Sequence, residues 1–92
     1  MKTEKKLEIY EIILYPLITE KAINMIESDN KLCFIVNLKA TKKEVREAVE
    51  SNYKIKVDTV NILKDRKGRK KAIVKINEKF KADEIATKLG VL

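Results

Sequence analysis

Apolar and polar residues alternate most clearly in three stretches of the chain. From Lys31 to Lys39 (KLCFIVNLK), Leu32, Phe34, Val36 and Leu38 fall on one face, at the two-residue period of a half-buried strand. Between Val57 and Asn77 the same period occurs twice. Val60 and Ile62 alternate with Thr59 and Asn61, and Ala72, Val74 and Ile76 alternate with Lys71, Ile73, Lys75 and Asn77. These are two strands joined by a basic turn around Gly68, a residue free to take positive φ. Earlier, Ile9, Ile12, Ile13 and Leu14 form a mixed apolar run ending at Tyr15-Pro16. It predicts a short first strand, stopped because Pro16 lacks an amide proton and disfavours helix at Tyr15.

Helical spacing fills the intervals. Thr19 stands ready to cap a helix with Glu20 in its first turn, a favourable charge at the positive end of the helix dipole, and with Ala22, Ile23 and Ile26 as its buried stripe. Ser28-Asp29-Asn30 reads as a turn. Thr41-Lys42-Lys43-Glu44 is a capping box and opens a second helix. Its stripe is Val45, Ala48 and Val49, which leaves Lys42, Lys43, Arg46, Glu47 and Glu50 for solvent or a partner. Asp83 to Leu89 sets Ile85, Ala86 and Leu89 at helical spacing, with Gly90 as the stop.

The predicted order is β-α-β-α-β-β-α, with the strand from Lys31 central. Since the last two strands form a hairpin, the simplest architecture is α+β, a small, mainly antiparallel sheet of three to four strands packed with helices. The 92 residues are read as one domain, residues 1–8 as a flexible tail, with no repeat or linker.

Composition narrows the function. There is no histidine, so neither the usual nucleophilic triad nor a Cys/His zinc site can be assembled around the lone Cys33, and no internal disulfide is available. Cys33 reads as a structural thiol. The two glycines, Gly68 and Gly90, do not make a phosphate loop. These residues predict no enzyme, cofactor, metal or small-molecule substrate. Nor is there a secretory signal or a segment for membrane insertion, which places the chain in the cytoplasm.

The net charge is +7 and the pI about 9.5, which points to a polyanionic partner. Residues 57–77 carry seven Lys or Arg (Lys64, Arg66, Lys67, Arg69, Lys70, Lys71, Lys75) against Asp58 and Asp65, and hold most of the surplus. One face of this hairpin is apolar and packs; the other offers ammonium, guanidinium and amide groups. Lysines on an exposed strand also block edge-to-edge aggregation, so a solvated edge is the plain alternative. The mixture of Arg and Lys suits phosphate contact by both fork and point charge. The two hairpin strands lack the exposed aromatics on which splayed bases stack. That leaves a folded RNA read by phosphates and shape, or duplex DNA bound by charge alone. A regulatory α+β domain with a ligand pocket is a third possibility.

Pro16-Leu17-Ile18-Thr19-Glu20-Lys21-Ala22 resembles the proline, spacer, threonine-glutamate-lysine opening of the universal large-subunit ribosomal protein number twenty-three family. The capped helix at Thr41, Val60-Asn61, the basic turn and Lys70-Lys71-Ala72 follow in that family's order and spacing. The run Ala82 to Gly90 is similar to its archaeal and eukaryotic branch, and the short N-terminal region favours the archaeal side. The resemblance spans residues 12–92. It implies a structural constituent of the large ribosomal subunit that binds large-subunit rRNA at the rim of the polypeptide exit tunnel, beside neighbouring ribosomal proteins. There the family forms a docking platform for signal recognition particle, chaperones or the translocon. By carry-over, Thr19, Lys21, Asn61, Lys64, Arg66, Lys67, Arg69, Lys70 and Lys71 are the expected rRNA contacts, and Glu20 is the expected docking residue. Ile62 stands where the family often has threonine, so a contact through that hydroxyl is lost. The eight or so residues from Lys64 to Lys71 are too few for the long tunnel loop of the bacterial branch.

Overall fold

The computed structural model describes residues 9–90. The predicted tail, residues 1–8, lies outside them. The order is α1 (Ile9–Ile12), β1 (Ile13–Pro16), α2 (Glu20–Asp29), β2 (Lys31–Val36), α3 (Lys42–Tyr53), β3 (Val57–Lys64), β4 (Lys70–Ile76) and α4 (Ala82–Lys88). The four strands form one antiparallel sheet in the order β1-β2-β4-β3. After the single turn α1, the predicted α+β order holds throughout, and β2 is central as expected.

Helices cover one face of this sheet. Leu32, Phe34 and Val36 of β2, Ala72, Val74 and Ile76 of β4, and Val57 and Val60 of β3 meet Val45, Ala48 and Val49 of α3, Ile26 of α2, and Ile85 and Ala86 of α4 in one core. The caps work as read from the sequence. Thr19 Oγ1 accepts from the Ala22 amide at 3.1 Å. Thr41 Oγ1 accepts from the Glu44 amide at 3.1 Å while Glu44 Oε1 accepts from the Thr41 amide at 3.0 Å. Gly90, at φ +78°, ends α4 and donates its amide to the Thr87 carbonyl.

Three expectations need correction. The first strand starts at Ile13, because Ile9–Ile12 is a helical turn packed against α3, with Ile12 in the core. A mixed apolar run has no period of its own, so packing decides between helix and strand. Second, β2 stops at Val36. The Asn37 side chain accepts from the Lys39 amide at 2.8 Å and its carbonyl from the Ala40 amide at 2.9 Å, a local turn that competes with the ladder. Leu38, expected on the buried face, is 62% exposed as a result. Third, Arg46 and Glu50 of α3 are not left for a partner. Arg46 Nη2 donates to the Val57 and Asp58 carbonyls (2.8 and 2.7 Å) and Glu50 Oε2 accepts from the Val57 amide at 2.9 Å. They clamp the start of the edge strand β3 to α3.

Candidate nucleic-acid interface

The basic turn is shorter and more ordered than its composition suggests. β3 and β4 pair up to Lys64 opposite Lys70, so only residues 65–69 connect them. Asp65 organises these five residues. Its Oδ1 accepts from the amides of Lys67 (2.9 Å) and Arg69 (3.0 Å), and its Oδ2 from Arg69 Nε (2.7 Å), with Nη2 at 2.6 Å. The Asp65 amide donates to the Arg69 carbonyl, and Gly68 donates to the Asp65 carbonyl at φ +78°. A Cβ on Gly68 would meet nothing within 4 Å, so glycine is needed here for its backbone angle and not for space.

The Arg69 side chain, followed by the Arg69 and Lys67 amides, holds the Asp65 carboxyl below the usual carboxylate range. The folded value therefore lies under the unfolded one. The stabilisation of the turn is complete above the ordinary carboxylate pKa and is lost as pH falls through the depressed value. On acidification the Lys67 and Arg69 amide resonances are expected to move together with a midpoint below that of a free aspartate. A midpoint at the free value would remove Asp65 from its organising role.

The other face of the sheet carries the residues that alternate with the core set. The pairing puts Leu63, Lys71, Ile35 and Tyr15 in one cross-strand row, Asn61, Ile73 and Cys33 in the next, and Thr59, Lys75 and Lys31 in a third. Cys33 and Ile35 are buried on this side although they lie outside the main core. Burial pushes the Cys33 thiol up, while the ammonium groups of Lys71, Lys21 and Lys31 pull it back in that order. Three lysines from α2, β2 and β4 thus bear on the middle of this face.

Against this geometry stand two comparisons. The sequence profile described as Ribosomal protein L23 matches residues 11–82. A curated relative, large ribosomal subunit protein uL23 of Methanothermobacter thermautotrophicus, is 43% identical over 82 residues, which is 89% of this chain and 95% of the relative. The chain belongs to the ribosomal protein L23 family. It is a structural, non-enzymatic protein of the large ribosomal subunit, a component of the cytoplasmic ribosome, and the relative is archaeal, as the resemblance implied.

In this L23-family protein the expected contact residues divide into three groups. Lys64, Arg66 and Lys67 are exposed on and beside the turn, and none of their side chains bonds within the described residues. Asn61, exposed, and Lys71, half-buried, share the sheet face opposite the core, with Lys21 bearing on it from the first turn of α2. In the same second group, beside Lys21, Thr19 spends its hydroxyl on the cap, and Glu20, the expected docking residue, is exposed. Arg69 and Lys70 form the third group. Arg69 holds Asp65 and donates to the Tyr15 hydroxyl at 3.2 Å, and Lys70 Nζ donates to the carbonyls of Leu38 (3.2 Å) and Ala40 (2.6 Å). Both are half-buried and engaged inside the protein.

Lys31, Lys75, Asp65 and Tyr15 are not among the contacts expected from the sequence. The period of β4 already places Lys75 on the face of Lys71. Lys31 and Tyr15 reach that face through strand register, for which the sequence carries no local signal. Ile62, at the family's threonine position, packs against the core.

Proposed function

We propose that this protein binds large-subunit rRNA with the tip of its β3–β4 hairpin and the adjoining sheet face, at the rim of the polypeptide exit tunnel. The observation that carries the reading is the clustering of cations whose side chains make no bond within the described residues: Lys64, Arg66 and Lys67 at the turn, continuous with Lys71 and Lys75 on the sheet face opposite the core cluster. Phosphates meet these groups, and Asn61 offers an amide among them. Thr19 and Lys21 extend the surface at the start of α2. A turn of five residues gives the hairpin no reach into a tunnel, so this branch contacts rRNA at the rim and not a nascent chain within. Glu20, exposed beside the cap, is the residue offered to a basic surface of signal recognition particle, a chaperone or the translocon, and neighbouring ribosomal proteins complete the platform.

Filter binding of the purified protein to transcribed large-subunit rRNA fragments, competed with duplex DNA across a salt series, tests the reading. Tight binding to one fragment with duplex DNA a poor competitor is expected. Equal affinity for every polyanion would reduce the protein to a nonspecific nucleic-acid binder and overturn the proposal.

A further inference from the structure

A groove of about 460 Å³ lies between β1, the 37–40 turn and the hairpin. Leu14 and Tyr15 form one wall, Leu38 and Lys39 the other, and Arg69 and Lys70 stand at the hairpin end. Leu14, Tyr15 and Leu38 are 50%, 44% and 62% exposed, an apolar surface that the fold leaves uncovered.

Both walls are held from the hairpin. Arg69 Nη1 donates to the Tyr15 hydroxyl at 3.2 Å, while its Nε and Nη2 are fixed on Asp65. Lys70 Nζ donates to the Leu38 and Ala40 carbonyls, and Asn37 closes the same turn from within through the Lys39 amide. The two basic residues that are least free to meet phosphates are the ones that brace the groove. Among the described residues no carboxylate lines it, and the exposed ammonium groups of Lys39 and Lys67 stand at its rim and at the nearby turn tip.

An apolar slot with one half-exposed aromatic ring, a guanidinium pinned on Asp65 and lysines as its other charged lining suits a flat aromatic ring carried on a polyanion. We infer that the groove receives one unstacked base of the rRNA, laid on the Tyr15 ring beside Arg69, while its flanking phosphates meet Lys39 and Lys67. The hairpin strands supply no aromatic for this; β1 supplies it through its register with β2. The inference rests on the rRNA-binding reading. An apolar segment of a neighbouring protein would lack a use for the cationic rim, and it is the competing occupant.

The test uses the intact protein bound to a large-subunit rRNA transcript carrying 4-thiouridine or 6-thioguanosine, photo-crosslinked and mapped by mass spectrometry, together with affinities of three variants. A crosslink at Tyr15, Leu38 or Lys39 is expected. Tyr15→Ala is expected to weaken binding about tenfold through the lost stacking, with an unchanged salt slope because no phosphate contact is removed. Tyr15→Phe keeps the ring and is expected to bind within about twofold of the parent, which separates stacking from the lost Arg69 bond. Leu38→Ala, at an exposed wall position outside the core, gives a second reading should Tyr15→Ala fail to fold by circular dichroism. Crosslinks confined to residues 64–67, or parental affinity in Tyr15→Ala and Leu38→Ala, would overturn the base site and leave the rRNA reading intact. A groove crosslinked in assembled subunits to protein and not to RNA would overturn it in favour of the neighbouring chain. Failure of the parent protein to bind any fragment would overturn both readings.

Discussion

Replacing Lys64, Arg66, Lys67 and Lys71 together by alanine is expected to weaken binding to the large-subunit rRNA fragment roughly a hundredfold near 0.15 M salt. Each neutralised phosphate releases counterion and contributes about 0.7 to 0.9 to the slope of log affinity against log salt, so the slope is expected to fall by about three. The choice of residues comes from the structure. The sequence alone ranks Arg69 and Lys70 equally with the other turn cations as expected contacts. Arg69 and Lys70, however, hold the turn, Tyr15 and the 37–40 segment, so removing them would disturb the fold together with the charge. The four side chains chosen here make no bond within the described residues, and the thermal midpoint is expected to stay near that of the parent. The measurement is filter binding across a salt series for parent and variant. An unchanged slope would take these cations out of the interface.

The second large effect is on stability and centres on Asn30. This residue ends α2 in the left-handed conformation, at φ 56°, and its backbone amide donates to the Met25 carbonyl. Its side chain then reaches across the molecule. Nδ2 donates to the carbonyls of Ile76 and Phe80, both at 3.0 Å, and Oδ1 accepts from the Ala82 amide at 2.7 Å. Its own carbonyl accepts from the Ile76 amide at 3.0 Å. One side chain thereby joins the end of α2, the end of β4, the loop after it and the first turn of α4. That helix has no cap of its own, since Lys81 at its N-cap position makes no side-chain bond.

Asn30→Ala loses three part-buried bonds of about 1 kcal/mol each and adds about 1 kcal/mol for a left-handed alanine, giving about 4 kcal/mol in all. A domain of this size has a total stability of roughly 5–14 kcal/mol, so the loss is a large share of it. Asn30→Gly, which accepts the backbone angle, is expected to recover about 1 kcal/mol of the deficit. Urea denaturation of the three proteins supplies the numbers. A loss under about 1 kcal/mol in Asn30→Ala would show that the bonds are replaced by water at little cost.

The features read correctly from the sequence are those whose cause lies within a few residues. The capping box at Thr41 involves residues three apart, and the Thr19 cap works over the same distance. The stop at Gly90 needs one positive φ. The alternation in Val57–Lys64 and Lys70–Ile76 follows from strand geometry alone, and it put Val60, Ala72, Val74 and Ile76 in the core. The surplus of cations at the turn is a matter of counting, and the ordered motifs from Pro16 to Gly90 were enough to indicate the family.

What the sequence did not reveal depends on partners far along the chain. Asn30 was legible as a turn residue, yet its bond to Ala82 spans 52 positions. Lys70 and Arg69 looked like free cations until the 37–40 segment and Tyr15 were brought beside them, 30 to 54 positions away. Tyr15 joins the face of Lys71 only through the β1–β2 register, with its irregularity between Ile13 and Tyr15. Local spacing therefore determined the elements, the buried stripes and the charge. Which basic groups remain free for a polyanion, and which are consumed in holding the fold, was decided by tertiary structure, because a hydrogen-bond donor is committed by whichever acceptor packing places within its reach.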